Sequence, residues 1–460
     1  MKPILVIQMQ RMGDLILTFP LLLWLQRTYP GHPLWVMAEP QFAQPLKTIG
    51  PEVVYLHPHD QPRIMHEGFA LIINLSHRPE SHILAGRLNT EQLVGRYSRD
   101  GVTHVAGNWQ EYRASVVHNN RHNRFHWADL NALDVISLDT IAKTTWPPPR
   151  TLARHEHQIG LFLGASAPDK RPTPVFWANL INDLEKRAFV PILLGGPAER
   201  DLCTEVQRLS ARPVATACGR LSLDKLAFFG QELAAMITPD TGPMHLAAWS
   251  GLKVLNLSMG PVHAWETGPY QPGHVVVRSA RDCVGCWHCR FESPRCQEDF
   301  TPARIATVLS IMLKDGPQRL AGLQLPGLEI ALTSRNQGLF HLDFLSSRAK
   351  VGQLLGTYWH YFWQEAFGMD QEKSCRMVWK KIQANHEPLA TSFRVISLTF
   401  LKSLTGTGNT QLALDAWNTL PPMIRPLSGY ISLHLANHDF HLSSRKRALF
   451  LAEKHLSFLS

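Results

Sequence analysis

Ile4-Leu5-Val6-Ile7-Gln8-Met9-Gln10-Arg11-Met12-Gly13-Asp14-Leu15 opens the chain with an apolar run, a short polar bridge, and a glycine followed by an acid. Ile4 to Ile7 has the length of a strand and Leu15 to Leu25 is helix-like, so the stretch reads as strand, turn, helix. Gly13 permits a tight turn with close ligand approach, and Asp14 then faces the carboxyl edge of a sheet, where open α/β folds bind ligands. Asp is also a common helix N-cap, and that second reading stands beside the first. The three glycines of a dinucleotide fingerprint are missing, which disfavours NAD.

Outward from this stretch the same alternation continues. Further strands are expected at Leu34 to Met37, Val53 to Leu56 and Leu71 to Asn74. Thr144 to Arg150, with Trp146-Pro147-Pro148-Pro149, is too stiff for a helix or central strand and reads as a linker. A second series follows at Ile159 to Leu163, Val190 to Leu194, Ala234 to Thr238 and Val254 to Leu257. The pattern predicts two Rossmann-like domains, 1–150 and 151–315, with a ligand cleft between them. From 316 to 460 the character changes. Leu328 to Leu332 and Leu339 to Phe344 flank Asn336-Gln337-Gly338 as a hairpin, and helical periods run from Val351 to the end in a region rich in Trp and His.

The totals bound the function. At 460 residues, 45% hydrophobic and 18% charged, the chain is an ordinary folded protein of two or three domains. A net charge of +9 favours anionic partners. Neither a zinc finger nor a basic block with interleaved aromatics is visible, so nucleic acid is not expected as a partner. Leu15 to Leu25 contains Thr18 and Pro20 and is shorter than the roughly 20 residues that span a bilayer, which leaves only peripheral membrane contact. No export signal is read at the amino terminus, and seven cysteines, four of them crowded together, argue against a secreted disulfide framework. The expected location is the cytoplasm.

Three motifs in the second half bear on chemistry. Pro239-Asp240-Thr241-Gly242-Pro243-Met244-His245 joins a strand to a helix, and amides around Thr241 and Gly242 at the positive end of that helix suit a diphosphate. An ordinary capped turn is the alternative. Gly164-Ala165-Ser166 is followed by Lys170-Arg171, cations that would neutralise a leaving diphosphate or simply sit in solvent. In Gly195-Gly196-Pro197-Ala198-Glu199, Glu199 either stabilises a helix start or accepts hydrogen bonds from ribose hydroxyls.

Taken in order, Arg11-Met12-Gly13-Asp14, Gly164-Ala165-Ser166 with Lys170-Arg171-Pro172, Leu194 to Glu199, Asp240 to Ala248, Gly260-Pro261 and Thr267-Gly268-Pro269-Tyr270 resemble glycosyltransferase family 9, the heptosyltransferase-like proteins, over about residues 1–310. Gly95-Arg96-Tyr97 is similar to the family's arginine-containing turn. The resemblance implies an inverting, metal-independent GT-B enzyme. Its amino-terminal domain would bind a lipopolysaccharide core or related lipid-linked glycan acceptor at the inner face of the cytoplasmic membrane, and its carboxyl-terminal domain a nucleotide sugar, most commonly ADP-heptose. Asp14 would be the general base. Gly13, Ser166, Lys170, Glu199, Asp240, Thr241, Gly242, His245 and Arg96 would bind substrate. The chain is expected to be a monomer and to need no cofactor. Residues 316–460 lie outside the family pattern, and their role is not implied by it. Two other readings are an epimerase of the same architecture, acting on the donor alone, and a non-catalytic nucleotide-sugar-binding scaffold.

Cys283, Cys286, Cys289 and Cys296 have spacing able to ligate structural zinc or an iron–sulfur cluster, whereas the resemblance points to a loop without metal chemistry. His434 and His438, four apart on an expected helix, are a metal pair lacking a third ligand. Arg63, Arg96 and Arg99 are cations that could meet acceptor phosphates. Ser443 to Ser460 is amphipathic and packs on its own domain or lies on a membrane.

Overall fold

The computed structural model describes residues 1–147, 149–150, 156–283, 285–287, 289–345, 350–405 and 419–460; Pro148 of the expected linker and residue 151 at the expected boundary lie outside them. The chain divides into two compact units, Met1–Leu93 with His126–Ser347, and Val94–Phe125 with Arg348–Ser460.

Unit 1 contains two sheets. In the first, β1 (Ile4–Ile7), β2 (Leu34–Met37), β3 (Val54–Leu56) and β4 (Gly68–Asn74) are parallel in the order β3-β2-β1-β4. Ile4, Leu5, Val6 and Ile7 are all buried, as expected of a central parallel strand covered on both faces. The helix expected over Leu15 to Leu25 is two helices, Met12–Ile16 and Phe19–Thr28. Pro20 lacks the N–H that would continue the first ladder, and the Thr18 hydroxyl bonds the Asp14 carbonyl at 2.8 Å across the break.

The second sheet has the order β14-β13-β12-β11-β10-β7-β8-β9. Strands β7 (Gln158–Phe162), β8 (Val190–Leu194), β9 (Ala215–Thr216), β10 (Ala235–Pro239), β11 (Val254–Ser258) and β12 (Val275–Ser279) are parallel, and β13 (Leu328–Asn336) and β14 (Leu339–Phe344) close the edge as an antiparallel hairpin. Its core joins Ile159, Leu161, Leu193 and Ile237 to Trp177 of the helix Pro174–Glu185 and Leu309 of the helix Pro302–Lys314. The hairpin expected after residue 316 therefore forms, but it extends this sheet, and the sheet does not stop at 315. Buried Asp129 anchors it by accepting the Phe340 amide at 2.8 Å and the Tyr270 hydroxyl. Arg335 stacks on Tyr270 with its Cζ 3.9 Å from the ring centroid. Trp146 of the expected linker is packed: it meets Trp24, Trp249 and Tyr270 edge-on.

Unit 2 pairs the end of β5 (Asn89–Arg99) with β6 (Val102–Ala106) as an antiparallel hairpin, followed by the helix Asn108–Ser115. Arg96 thus lies inside a strand, where a turn was expected, although Gly95 beside it does take a left-handed φ of 96°. The unit's other described elements are the helices Val351–Ala366, Glu372–Asn385, Glu387–Thr405, Arg425–Asn437 and Leu442–Phe458. The last of these buries Ala448, Leu451, His455 and Phe458, so the amphipathic terminal segment packs within its own unit. Among the described residues no helix is long and apolar enough to cross a membrane.

His455 explains part of the Trp- and His-rich composition. Ser397 gives its proton to the Phe393 carbonyl at 2.7 Å, so its oxygen accepts from His455 Nε2 at 2.9 Å, which leaves Nδ1 to accept the Tyr358 hydroxyl at 2.8 Å. Burial pushes His455 down to about 3, and burial does the same to His122 and His274. Unfolded, these rings ionise near 6.5. Their contribution is complete above that pH and is lost as pH falls toward 3, because the unfolded chain takes up protons that the folded one refuses. Thermal unfolding should therefore begin at lower temperature at pH 5 than at pH 7.5, by about 2 kcal/mol for each such histidine, and His455→Gln should reduce the difference.

Candidate functional site

The carboxyl ends of the two sheets of unit 1 line one cleft of about 810 Å³. That volume is within the range of sites for small organic ligands. Gly13 and Asp14 arrive on the turn after β1, Ser166 and Lys170 after β7, Glu199 after β8, and Asp240, Thr241, Gly242 and His245 after β10. Of the residues expected to act as base or bind substrate, Arg96 alone is not among the lining; it belongs to unit 2 and is half-buried. Arg63 and Arg99 are exposed and also stand outside the lining.

The two turns meet at their glycines. A Cβ on Gly13 would stand 3.1 Å from His245 Cδ2 and 3.5 Å from Gly242 Cα, and one on Gly242 would collide with the Met12 methyl. Asp14 occupies the first turn of the helix Met12–Ile16, whose N-cap position belongs to Arg11, so Asp14 is not the N-cap residue. Thr241 is the N-cap of the helix Gly242–Trp249, with Pro243 in its first turn, and its side chain makes no capping bond. The donors at this end are therefore not taken up by the cap side chain, and the helix dipole favours an anion there.

Glu199 stabilises the helix start, one of the two roles its position suggested, and its side chain also lines the cleft. Its Oε2 accepts the Gly196 amide at 2.7 Å, closing the helix start, while its side chain lies against Gly164 and Gly195 in the cleft wall. A Cβ at Gly164 would stand 2.6 Å from Glu199 Oε1, so only glycine lets the carboxylate lie there.

Asp240 is the most perturbed carboxyl of the cleft. Burial pushes it up to about 6; the Thr267 hydroxyl, donating at 2.8 Å, and Lys170 pull the other way, and Asp14 adds repulsion. His245 Nε2 lies 4.0 Å from Asp240 Oδ1, and burial pushes its imidazole down to about 4, so near neutrality the ring is uncharged. The cleft thus combines a cation, an anion-favouring helix end, an exposed-edge carboxylate and a second carboxyl that titrates close to neutrality.

Sequence reading passed over the apolar wall of Phe42, Trp127, Phe162 and Leu226, and the role of Thr267 in holding Asp240. Thr267 lay within a quoted motif; the wall residues carry no local signal, since each comes from a different element.

The four cysteines of the 283–296 segment lie outside the cleft lining. Burial, then the charges of Cys283, Cys289 and Cys296, pushes the Cys286 thiol up, so the four gather in one neighbourhood. Cys203 and Cys218 form a disulfide with Cα atoms 6.6 Å apart, a pairing that the sequence reading did not foresee.

Residues 122–293 match the family model of glycosyltransferase family 9 (heptosyltransferase). The match covers Ser166 through His245 and stops short of Asp14. Comparison with curated protein sequences gives no match. Among solved structures, a family 9 glycosyl transferase from Veillonella parvula is similar at 17% identity and a TM-score of 0.52, covering 68% of this chain and 98% of that one. The E. coli ADP-heptose lps heptosyltransferase II is similar at 19% identity and a TM-score of 0.51, covering 68% and 99%. The fold is GT-B-like with an added helical carboxyl-terminal region, and residues 122–293 are similar to the glycosyltransferase family 9 (heptosyltransferase) model.

The electrostatics of the cleft give a stability test. An unfolded Asp ionises near 3.9 and Asp240 near 6, so between these values the folded state holds the extra proton and stability declines as pH rises. Asp240→Asn should accordingly raise the melting temperature at about pH 8, by an amount on the order of 2–3 kcal/mol, and change it little near pH 4. Equal shifts at both values would show that Asp240 is not held protonated.

Proposed function

We propose that this heptosyltransferase-like glycosyltransferase moves a heptose from ADP-heptose, with inversion, onto a lipid-linked acceptor of the lipopolysaccharide core type. The observation that carries the reading is that Asp14 and the Thr241-Gly242 helix start line the same cleft from opposite sheets. A donor whose diphosphate rests on the Thr241 and Gly242 amides presents its sugar toward the turn that bears Asp14.

In the step itself, an acceptor hydroxyl oxygen attacks the anomeric carbon as the bond from that carbon to the diphosphate oxygen breaks. The hydroxyl proton passes to Asp14, and the nucleotide leaves as an anion. Lys170 and the helix amides meet the charge that grows on the leaving phosphate, a task that a divalent metal performs in other enzymes. Glu199 Oε1 accepts a ribose hydroxyl. Neutral His245 and Asp240 border the transferred sugar as hydrogen-bonding groups, and the apolar wall of Phe42, Trp127 and Leu226 keeps bulk water from hydrolysing the donor. Cytoplasmic protein meeting its acceptor at the inner membrane face is the setting that this chemistry requires, since the nucleotide sugar is supplied there.

Asp14→Ala should lower turnover by about 10²–10⁴-fold while leaving ADP-heptose binding, read by thermal shift, close to the original. Unchanged turnover would remove Asp14 from the step, and product formed from donor alone would favour an epimerase. Transfer should also proceed at full rate without added magnesium or manganese; dependence on either ion would overturn the metal-free mechanism.

A further inference from the structure

We propose that unit 2 contains a zinc site made by Glu111, His434 and His438. The two histidines stand four apart at the end of the helix Arg425–Asn437 and project to one side of it, their ring centroids 4.6 Å apart. Alone they are an incomplete pair. The fold supplies the missing partner from more than 300 residues earlier: Glu111, on the helix Asn108–Ser115, sets its carboxylate against both rings. His434 Nδ1 is 2.7 Å from Oε2 and His438 Nε2 is 2.9 Å from Oε1. One ligand atom from each of the three lies within 4.8 Å of the others.

Two nitrogens and one carboxylate oxygen form a set that zinc takes readily, with water in the fourth position. Zinc bonds of about 2.0–2.1 Å place tetrahedral ligands about 3.3 Å apart, so the two short contacts open by about half an ångström on binding and the wider ligand spacings, up to 4.8 Å, draw in toward the ion. Each imidazole then carries its proton on the ring nitrogen turned away from the metal. The carboxylate is already held in place: Tyr430 donates to Oε2 at 3.1 Å and Asn437 Nδ2 to Oε1 at 2.5 Å, the outer hydrogen bonds that orient a ligating carboxylate. Glu111 has only 4% of its side chain exposed, whereas His438 has 48%, which gives the ion a route in and the water ligand a place. Asn437 also clamps the Val105 backbone, accepting its N–H at 2.7 Å and donating to its carbonyl at 2.8 Å. The bound ion would therefore tie the 94–125 segment to the carboxyl-terminal helices within unit 2. The site lies within unit 2 and outside the cleft lining, and it stands or falls independently of the transferase step.

The test uses the full-length chain stripped of metal and titrated with cobalt(II), followed by competition with zinc. The expected result is one cobalt per chain with visible d–d bands of nitrogen and oxygen ligation, separate from any thiolate-to-cobalt charge transfer contributed by the cysteine segment. His438→Ala, at a half-exposed position, should keep the metal-free melting temperature and lose about 100-fold or more in affinity for that equivalent, exceeding the effect of outer-partner changes. Glu111→Gln should lose it too. Retention of the nitrogen- and oxygen-ligated equivalent by either variant, or a spectrum showing thiolate ligation alone, overturns the proposal and leaves Glu111 as a hydrogen-bonded carboxylate.

Discussion

Two stretches of backbone pass closely at Gly13 and Gly242: a Cβ on Gly13 would stand 3.5 Å from Gly242 Cα, and one on Gly242 would stand 3.3 Å from the Gly13 nitrogen. The first belongs to the turn after β1 and the second to the helix start after β10, so this one steric condition decides how the edges of the two sheets share a cleft. The Asp14 and Thr241 turns line the same cleft beside this approach. A methyl group at Gly13 would press on the His245 ring at 3.1 Å, and one at Gly242 would require the Met12 methyl to swing aside.

Within that geometry, charge is distributed unevenly. Asp240 is largely enclosed, bonded to Thr267 and set near Lys170, and is still pushed up to about 6, whereas His245 beside it is driven to the neutral form. Two acids thus meet different surroundings in one cleft: Asp14 stands at a partly exposed helix start, and Asp240 is bonded to Thr267. The disparity arises from burial and hydrogen bonding, not from residue type.

Much of unit 1 was legible because its strands are short apolar runs that end in turns rich in glycine and proline, a pattern set by local sterics. Ile4–Ile7, Leu34–Met37 and Val190–Leu194 fall where the runs lie. The break at Thr18 was missed because the apolar period continues through it and only the backbone of Pro20 interrupts the ladder. The assignment of 94–125 to unit 2 was not legible at all. Arg96 and Glu111 sit in a half-polar hairpin and helix whose partners lie over 300 residues away, and no local pattern encodes such pairing. For the same reason His434 and His438 read as a bare pair. The cleft residues, in contrast, were recognisable since each sits on a turn immediately after its own strand.

Unit 2 is assembled from an internal segment and the carboxyl-terminal quarter of the chain. On the ribosome, Val94–Phe125 emerges long before Arg348 does. At about 5–20 residues per second, the intervening ~220 residues take roughly 10–45 s to synthesise. Throughout that interval Glu111, Tyr112 and Trp109 lack the helices that later enclose them, and a nascent chain with these groups exposed is a natural client for holding chaperones. A chain cut short anywhere before the final helices would leave the same segment permanently bare, so shortening this protein from its carboxyl end injures a region near its beginning.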